Sequence, residues 1–156
     1  MIPRSTGRVA GVQRAELDRI AAARLRRLGQ RYTTGRRALI DVLATAPSPL
    51  TIPEILARGP GLAQSSAYRN LAVLERSGVV QRIVTTGEWA RYELAEDLTE
   101  HHHHLVCSTC GVVGDVTVPP TVERSLDEAL TKVADAQGFR LEGHRLDLVG
   151  TCERCQ

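Results

Sequence analysis

Two C-x-x-C pairs, Cys107/Cys110 and Cys152/Cys155, stand 41 residues apart in a chain of 156. In a reducing compartment such pairs read as thiolate ligands for one Zn²⁺ more readily than as two disulfides. Four thiolates close tetrahedrally on zinc and leave no open position, which makes the site structural and not catalytic. A redox C-x-x-C is the competing reading, but two pairs are unnecessary for it. The spacing constrains the fold, because everything between the pairs must return the chain to its starting point.

The intervening sequence has the elements to do so. "VVGDVTV" is β-rich, "PPTVERSLDEALTKVADAQG" reads as a helix with Val122, Leu126, Leu130 and Val133 inward, and "FRLEGHRLDLVG" reads as a last strand. A small α/β domain over residues 101–156 is expected.

Directly before the first pair stands "HHHH", residues 101–104, running into "LVC". On a strand, successive side chains point to opposite faces, so His101 and His103 face one way and His102 and His104 the other. One short segment then offers two imidazoles to each of two sites, each needing further ligands to reach four. For the first pair, Glu123 at the head of the helix and His144 on the last strand are candidates. For the second, the upstream carboxylates Glu93, Glu96, Asp97 and Glu100 are candidates. The bland alternative is a solvated polar tract that scavenges metal.

The first half reads differently. "RAELDRIAAARLRRLG" places Leu17, Ala21, Leu25 and Leu28 on one helical face and stops at Gly29. "TTGRRALIDVLATAP" is a second helix capped by Thr33 or Thr34, with Leu39, Ile40 and Leu43 inward. "TIPEILARG" has Thr51 and Glu54 in capping-box spacing. "SSAYRNLAVLERSG" turns Ala67, Leu71 and Leu74 to one face and Ser66, Arg69, Val73 and Arg76 to the other. The runs "VVQRIV" and "WARYEL", joined by "TTGE", form a hairpin. Helices followed by a hairpin suggest a winged helix-turn-helix over residues 15–94, whose fourth helix enters the major groove. A helical domain with an incidental hairpin is the competing reading. Residues 1–14 are expected to be a flexible tail and 95–100 a hinge linker, giving an α+β protein of two small domains.

Charge separates the halves in the same way. Residues 1–91 hold 15 Arg against 6 acidic residues, whereas residues 92–156 hold 5 basic against 12 acidic. The first half suits a polyanion and the second a cation. Arg31, Arg36, Ser65 and Ser66 are candidate DNA contacts. Few aromatics speak against base-stacking recognition of single strands or RNA. No apolar run approaches the roughly 18 residues that span a membrane, and the start lacks the apolar stretch of a signal peptide, so a cytoplasmic protein with no membrane partner is expected. An enzyme is not expected: no H-E-x-x-H or complete Ser-His-Asp set occurs, and no small organic substrate is implied.

"RYTTGRRALIDVL", "SSAYRNLAVLERSGVV", "RYELAEDLTEHHHHLVCSTCG" and "CERC" together resemble the ferric uptake regulator family of metal-dependent repressors, from about residue 17 to 155. The resemblance implies a homodimer, with an N-terminal winged helix on an inverted-repeat operator and a C-terminal dimerisation domain. It implies structural zinc on Cys107, Cys110, Cys152 and Cys155, and a site within the dimerisation domain on His101, His103, Glu123 and His144. It also implies a hinge sensing site on His102, His104 and Glu93, completed by Glu96 or Asp97, and base and phosphate contacts from Tyr68 and Arg69. Many iron-type members carry a histidine where Pro49 stands; zinc-type members usually carry an aspartate and a cysteine where Gln81 and Ala95 stand. Four histidines lining two small sites favour Zn²⁺ over Fe²⁺ or Mn²⁺ as the regulatory metal. The expected function is a metal-responsive repressor controlling metal homeostasis. The alternative is a zinc-stabilised winged-helix DNA- or protein-binding module that does not sense metal.

Overall fold

The computed structural model describes residues 14–59, 61–85 and 90–156. The expectations for the N-terminal tail and for the turn between the wing strands lie outside the described residues, apart from Arg14 and Thr85.

Helix α1 (Arg14–Arg27) buries Leu17, Ala21 and Leu25, one per turn. It ends at Arg27, so Leu28, expected inward, lies beyond the last turn and is 47% exposed. Gly29 follows at φ 65°, the left-handed conformation that closes a helix and that glycine adopts without steric cost. Arg14 belongs to this helix and not to the tail, and pairs with Asp18 and Asp41.

Helix α2 (Thr34–Ala44) is capped by Thr33, whose side chain accepts from the Arg36 N–H. A two-residue strand, β1 (Leu50–Thr51), leads into α3 (Ile52–Arg58), where Thr51 and Glu54 complete a capping box. Helix α4 (Gln64–Arg76) turns Ala67, Leu71 and Leu74 inward. The wing strands are β2 (Val80–Ile83) and β3 (Arg91–Leu94), antiparallel with Val80 opposite Leu94. The sheet has three strands in the order β1-β3-β2, not the expected two. A two-residue strand is too short to carry a periodic pattern, so β1 leaves no trace in the sequence.

One core joins these elements: Leu17, Leu25, Leu39, Ile40, Leu43, Ile55, Leu71 and Leu74 are all 1% exposed or less. Each contributes about 1.5–3 kcal/mol relative to an exposed side chain. Leu98, from a 3-10 turn at Glu96–Leu98, is also fully buried in this core. The segment expected as a hinge linker is therefore anchored to the winged helix, by Leu98 in the core, by Asp97 on Arg24 and by the Ala95 N–H on the Val79 carbonyl.

The second domain is a sheet of order β5-β4-β6 with one helix. Strand β4 (His103–Cys107) pairs antiparallel with β5 (Val113–Val116) and parallel with β6 (Asp147–Gly150). The expected strand over 139–150 is shorter than its alternation suggested, and His144 lies before β6 and not on it. Helix α5 (Pro120–Ala136) has no buried residue; Val122 and Val133, expected inward, are 50% and 64% exposed. The apolar stripe exists, with Leu126 and Leu130 half-buried and Val122 and Val133 left exposed.

Candidate metal centres

Among the described residues, three groups of ligand-type side chains form in and beside the second domain, each with its ligand atoms within 4.8 Å of one another. The first is Cys107, Cys110, Cys152 and Cys155. The turn Cys107–Gly111 closes with the Gly111 N–H on the Cys107 carbonyl at 3.0 Å, and Gly111 takes φ 67° to make that turn. The parallel β4–β6 register sets Gly150 beside Cys107, which delivers the second pair to the first. The Cys110 and Cys152 sulfurs are 3.7 Å apart and all four cysteines are free. A tetrahedron with corners about 2.3 Å from a zinc at its centre has edges of about 3.8 Å, so the cluster fits structural zinc. Backbone N–H groups of Cys110 and Cys152 on the Cys107 sulfur lower its pKa to about 6, while thiol hydrogen bonds with Cys110 and Cys152 raise Cys155 to about 12. Four sulfurs this close ionise together only around a cation.

The second group is His101, His103, Glu123 and His144. Their Nε2 atoms converge on one carboxylate, at 3.0, 2.9 and 3.1 Å from Glu123 oxygens. The hydrogen bond from His103, stronger than the opposing effect of burial, holds the Glu123 carboxyl below its ordinary pKa, and the nearby imidazoles add to this. The proline pair at 119 and 120 starts α5 and places Glu123 in its first turn.

The third group is Glu93, His102, His104 and Asp115. Glu93 is fully buried on β3, and its two oxygens lie 3.2 Å from His102 Nε2 and 3.0 Å from His104 Nε2. His102 Nδ1 meets the Glu100 carbonyl at 2.8 Å, which keeps the proton on Nδ1 and frees Nε2 as a ligand. His104 Nδ1 meets Asp147 at 3.0 Å. Burial pushes the His104 pKa down, but Glu93 and Asp147 together carry it above the ordinary value.

Two carboxylates expected here bond to other groups, although Glu96 also lines the small cavity beside His102 and His104. Glu96 contacts His101 Nδ1, and Asp97 pairs with Arg24 of α1. Three residues of a 3-10 turn point in three directions about 120° apart, so neighbours in sequence cannot serve one centre. Glu100 contributes its carbonyl to His102. Asp115, missed from the sequence, takes their place: it sits opposite His104 in the β4–β5 register and is 8% exposed. A lone acid within the apolar run "VVGDVTV" was the available signal.

Among the described residues, three buried side-chain nitrogens or oxygens have no hydrogen-bond partner: His103 Nδ1, His104 Nε2 and His144 Nε2. The last two lie 3.0 and 3.1 Å from carboxylate oxygens without the alignment of a hydrogen bond. Lone pairs that converge without bonding each other suit atoms that share a cation.

On the winged helix, Tyr68 is 41% exposed, Arg31, Ser65 and Arg69 are exposed, and Ser66 is half-buried. Arg36 is a correction. It is buried, and its guanidinium donates to the Arg31 carbonyl, Gln30 and Asn70, which fastens α2 to α4.

A winged helix joined to a small domain that gathers three sets of metal-ligand residues has the parts of a metal-dependent DNA-binding regulator. Residues 27–149 match the Ferric uptake regulator family, and the chain belongs to it. The chain is 28% identical to the peroxide operon regulator of Bacillus subtilis over 135 residues, 84% of this chain and 88% of that one. It is 30% identical to the ferric uptake regulation protein of Neisseria meningitidis over 139 residues, 86% of this chain and 92% of that one. Its fold is that of the Helicobacter pylori ferric uptake regulator Fur, with a TM-score of 0.71 at 23% identity and 95% coverage of both chains. No helix among the described residues is long and apolar enough to cross a membrane.

Proposed function

We propose that the chain is a metal-sensing transcriptional repressor that binds an inverted-repeat operator as a homodimer when its hinge centre is loaded. The observation that carries this is the split origin of the third group. Glu93 comes from wing strand β3, whereas His102, His104 and Asp115 come from the second domain. A divalent ion shared by these four side chains favours one arrangement of the domains by its differential affinity for it. In a dimer that arrangement holds two α4 helices at the spacing of two half-sites. Release of the ion frees them.

The homodimer reading is supported by the apolar surface one chain leaves open: Val122 and Val133 on α5, Phe139 after it, and Leu148 and Val149 on edge strand β6. Cys107, Cys110, Cys152 and Cys155 hold structural zinc in this reading. His101, His103, Glu123 and His144 hold a further divalent ion. Zn²⁺ is favoured as the signal because imidazoles and carboxylates in small four-ligand sets suit a tetrahedral ion, with Fe²⁺ and Mn²⁺ the alternatives. The genes controlled are those of metal uptake.

The experiment is operator binding at buffered free metal for the parent chain and for H102A/H104A. The parent binds tightly only with metal, and the variant binds weakly at every concentration. Equal, metal-independent binding by both rejects sensing and leaves a zinc-stabilised DNA-binding module.

A further inference from the structure

Resting on the reading of His101, His103, Glu123 and His144 as a metal centre, we propose that Glu96 positions His101 for that centre and ties the centre to the DNA-binding domain. His101 has a carboxylate on each ring nitrogen: Glu123 at 3.0 Å from Nε2 and Glu96 at 2.5 Å from Nδ1. A neutral imidazole carries one N–H and can donate to only one of them. A cation on Nε2 places the proton on Nδ1, strengthens that N–H as a donor and directs it to Glu96. A metal on Nε2 is thus compatible with the Glu96 contact and would strengthen it.

His144 is held in the same way, with Nδ1 2.9 Å from Asp127. Asp127, however, stands on α5 within the same domain. Glu96 stands on the 3-10 turn between the domains, and the next two residues fix that turn to the winged helix. Asp97 is bonded by Arg24 of α1, which also donates to the Gly78 carbonyl just past α4. Leu98 is fully buried in the first core. Three consecutive residues thus reach a ligand imidazole, the helix that braces the end of α4, and the core itself. Glu96 and Asp127 make equivalent contacts to their histidines, but only Glu96 has this connection, and that difference is what a test can read.

The test uses the full chain carrying H102A and H104A, which leaves the cysteine cluster and this centre. Zn²⁺ affinity is measured by competition with a chromophoric chelator, and amide exchange of residues 95–99 and of α1 is measured with and without saturating Zn²⁺. E123A in the same background identifies the zinc that belongs to the centre. E96A and D127N are each expected to weaken Zn²⁺ about 10–100-fold, and E96Q, whose amide oxygen still accepts the N–H, to recover part of the loss. Saturating Zn²⁺ slows exchange at 95–99 and around Arg24 in the parent and in D127N, but not in E96A. Circular dichroism and retention of the cysteine-bound zinc verify that E96A is folded. Parent-like affinity in E96A, or parent-like protection of the linker by Zn²⁺ in E96A, overturns the role of Glu96 while the centre stands. Zinc binding unchanged by E123A overturns the centre and the proposal together.

Discussion

The Arg91 Nε–H donates to the Gly111 carbonyl at 3.0 Å, joining wing strand β3 to the turn that carries Cys107 and Cys110. The same guanidinium donates to the Pro49 carbonyl at 2.9 Å and to Glu54 at 3.1 Å. One side chain, 12% exposed, thus links the cysteine cluster to the start of α3. Arg91→Ala leaves a carbonyl in each domain without this donor, at a cost of about 1–3 kcal/mol. Thermal unfolding of the zinc-loaded chain measures it. Arg91→Lys is expected to recover little, because an ammonium cannot reproduce the planar fork.

The cysteine cluster is expected to retain its metal where the histidine sites do not. After treatment with a chelator, elemental analysis gives one zinc per chain, and Cys110→Ala or Cys152→Ala reduces it to none. Without that zinc β6 loses its tether beside β4, and light scattering detects loss of the dimer. Retention of metal by these variants rules out the four-thiolate site.

Arg36 and Arg69 separate a structural arginine from a candidate DNA contact. Arg36→Ala removes hydrogen bonds to Gln30, Asn70 and the Arg31 carbonyl, and is expected to lower stability by several kcal/mol, at about 1.5–3 for each charged hydrogen bond before partial compensation by water. Arg69→Ala, at an exposed position on α4, leaves the melting temperature unchanged. It weakens operator binding and reduces the salt slope by about 1. Calorimetry and a salt titration distinguish the two.

Glu54 sets a pH dependence. Burial alone would raise its pKa, but the Thr51 N–H and hydroxyl, with Arg91 and Arg58, hold it below the ordinary carboxylate value. A carboxyl depressed in the folded state contributes stability above its unfolded pKa, about 4.3, and loses it as pH falls through the folded value. The stability difference between the parent and Glu54→Gln is therefore full at neutral pH and shrinks below about pH 4. Denaturant titrations at several pH values measure it. Thr51→Ala removes the other half of the capping box and costs about 0.5–2 kcal/mol at neutral pH.

Asp115→Ala removes a candidate hinge ligand that comes from the second domain. Metal-stimulated operator binding is expected to fall as it does for H102A/H104A, while the zinc of the cysteine cluster stays. Unchanged metal response in this variant excludes Asp115 from the centre.

What the sequence determined by itself is local. Two C-x-x-C pairs define a four-thiolate set through spacing alone, and the alternation of an extended chain sends His101 and His103 to one side and His102 and His104 to the other. Capping at Thr33 and Thr51 and the inward faces of α2 and α4 follow from patterns within a few residues. Tertiary structure decided which distant groups meet these residues. Asp115 reaches His104 through antiparallel pairing, and Asp147 reaches it through parallel pairing with a strand 43 residues away. Glu96 and Asp97 look equivalent in sequence, yet a single tight turn sends one to His101 and the other to Arg24. Arg36 reads as a surface cation until packing surrounds it with acceptors. Periodicity records the face a residue presents within its own element; register and packing, set by contacts between elements, determine what that face meets.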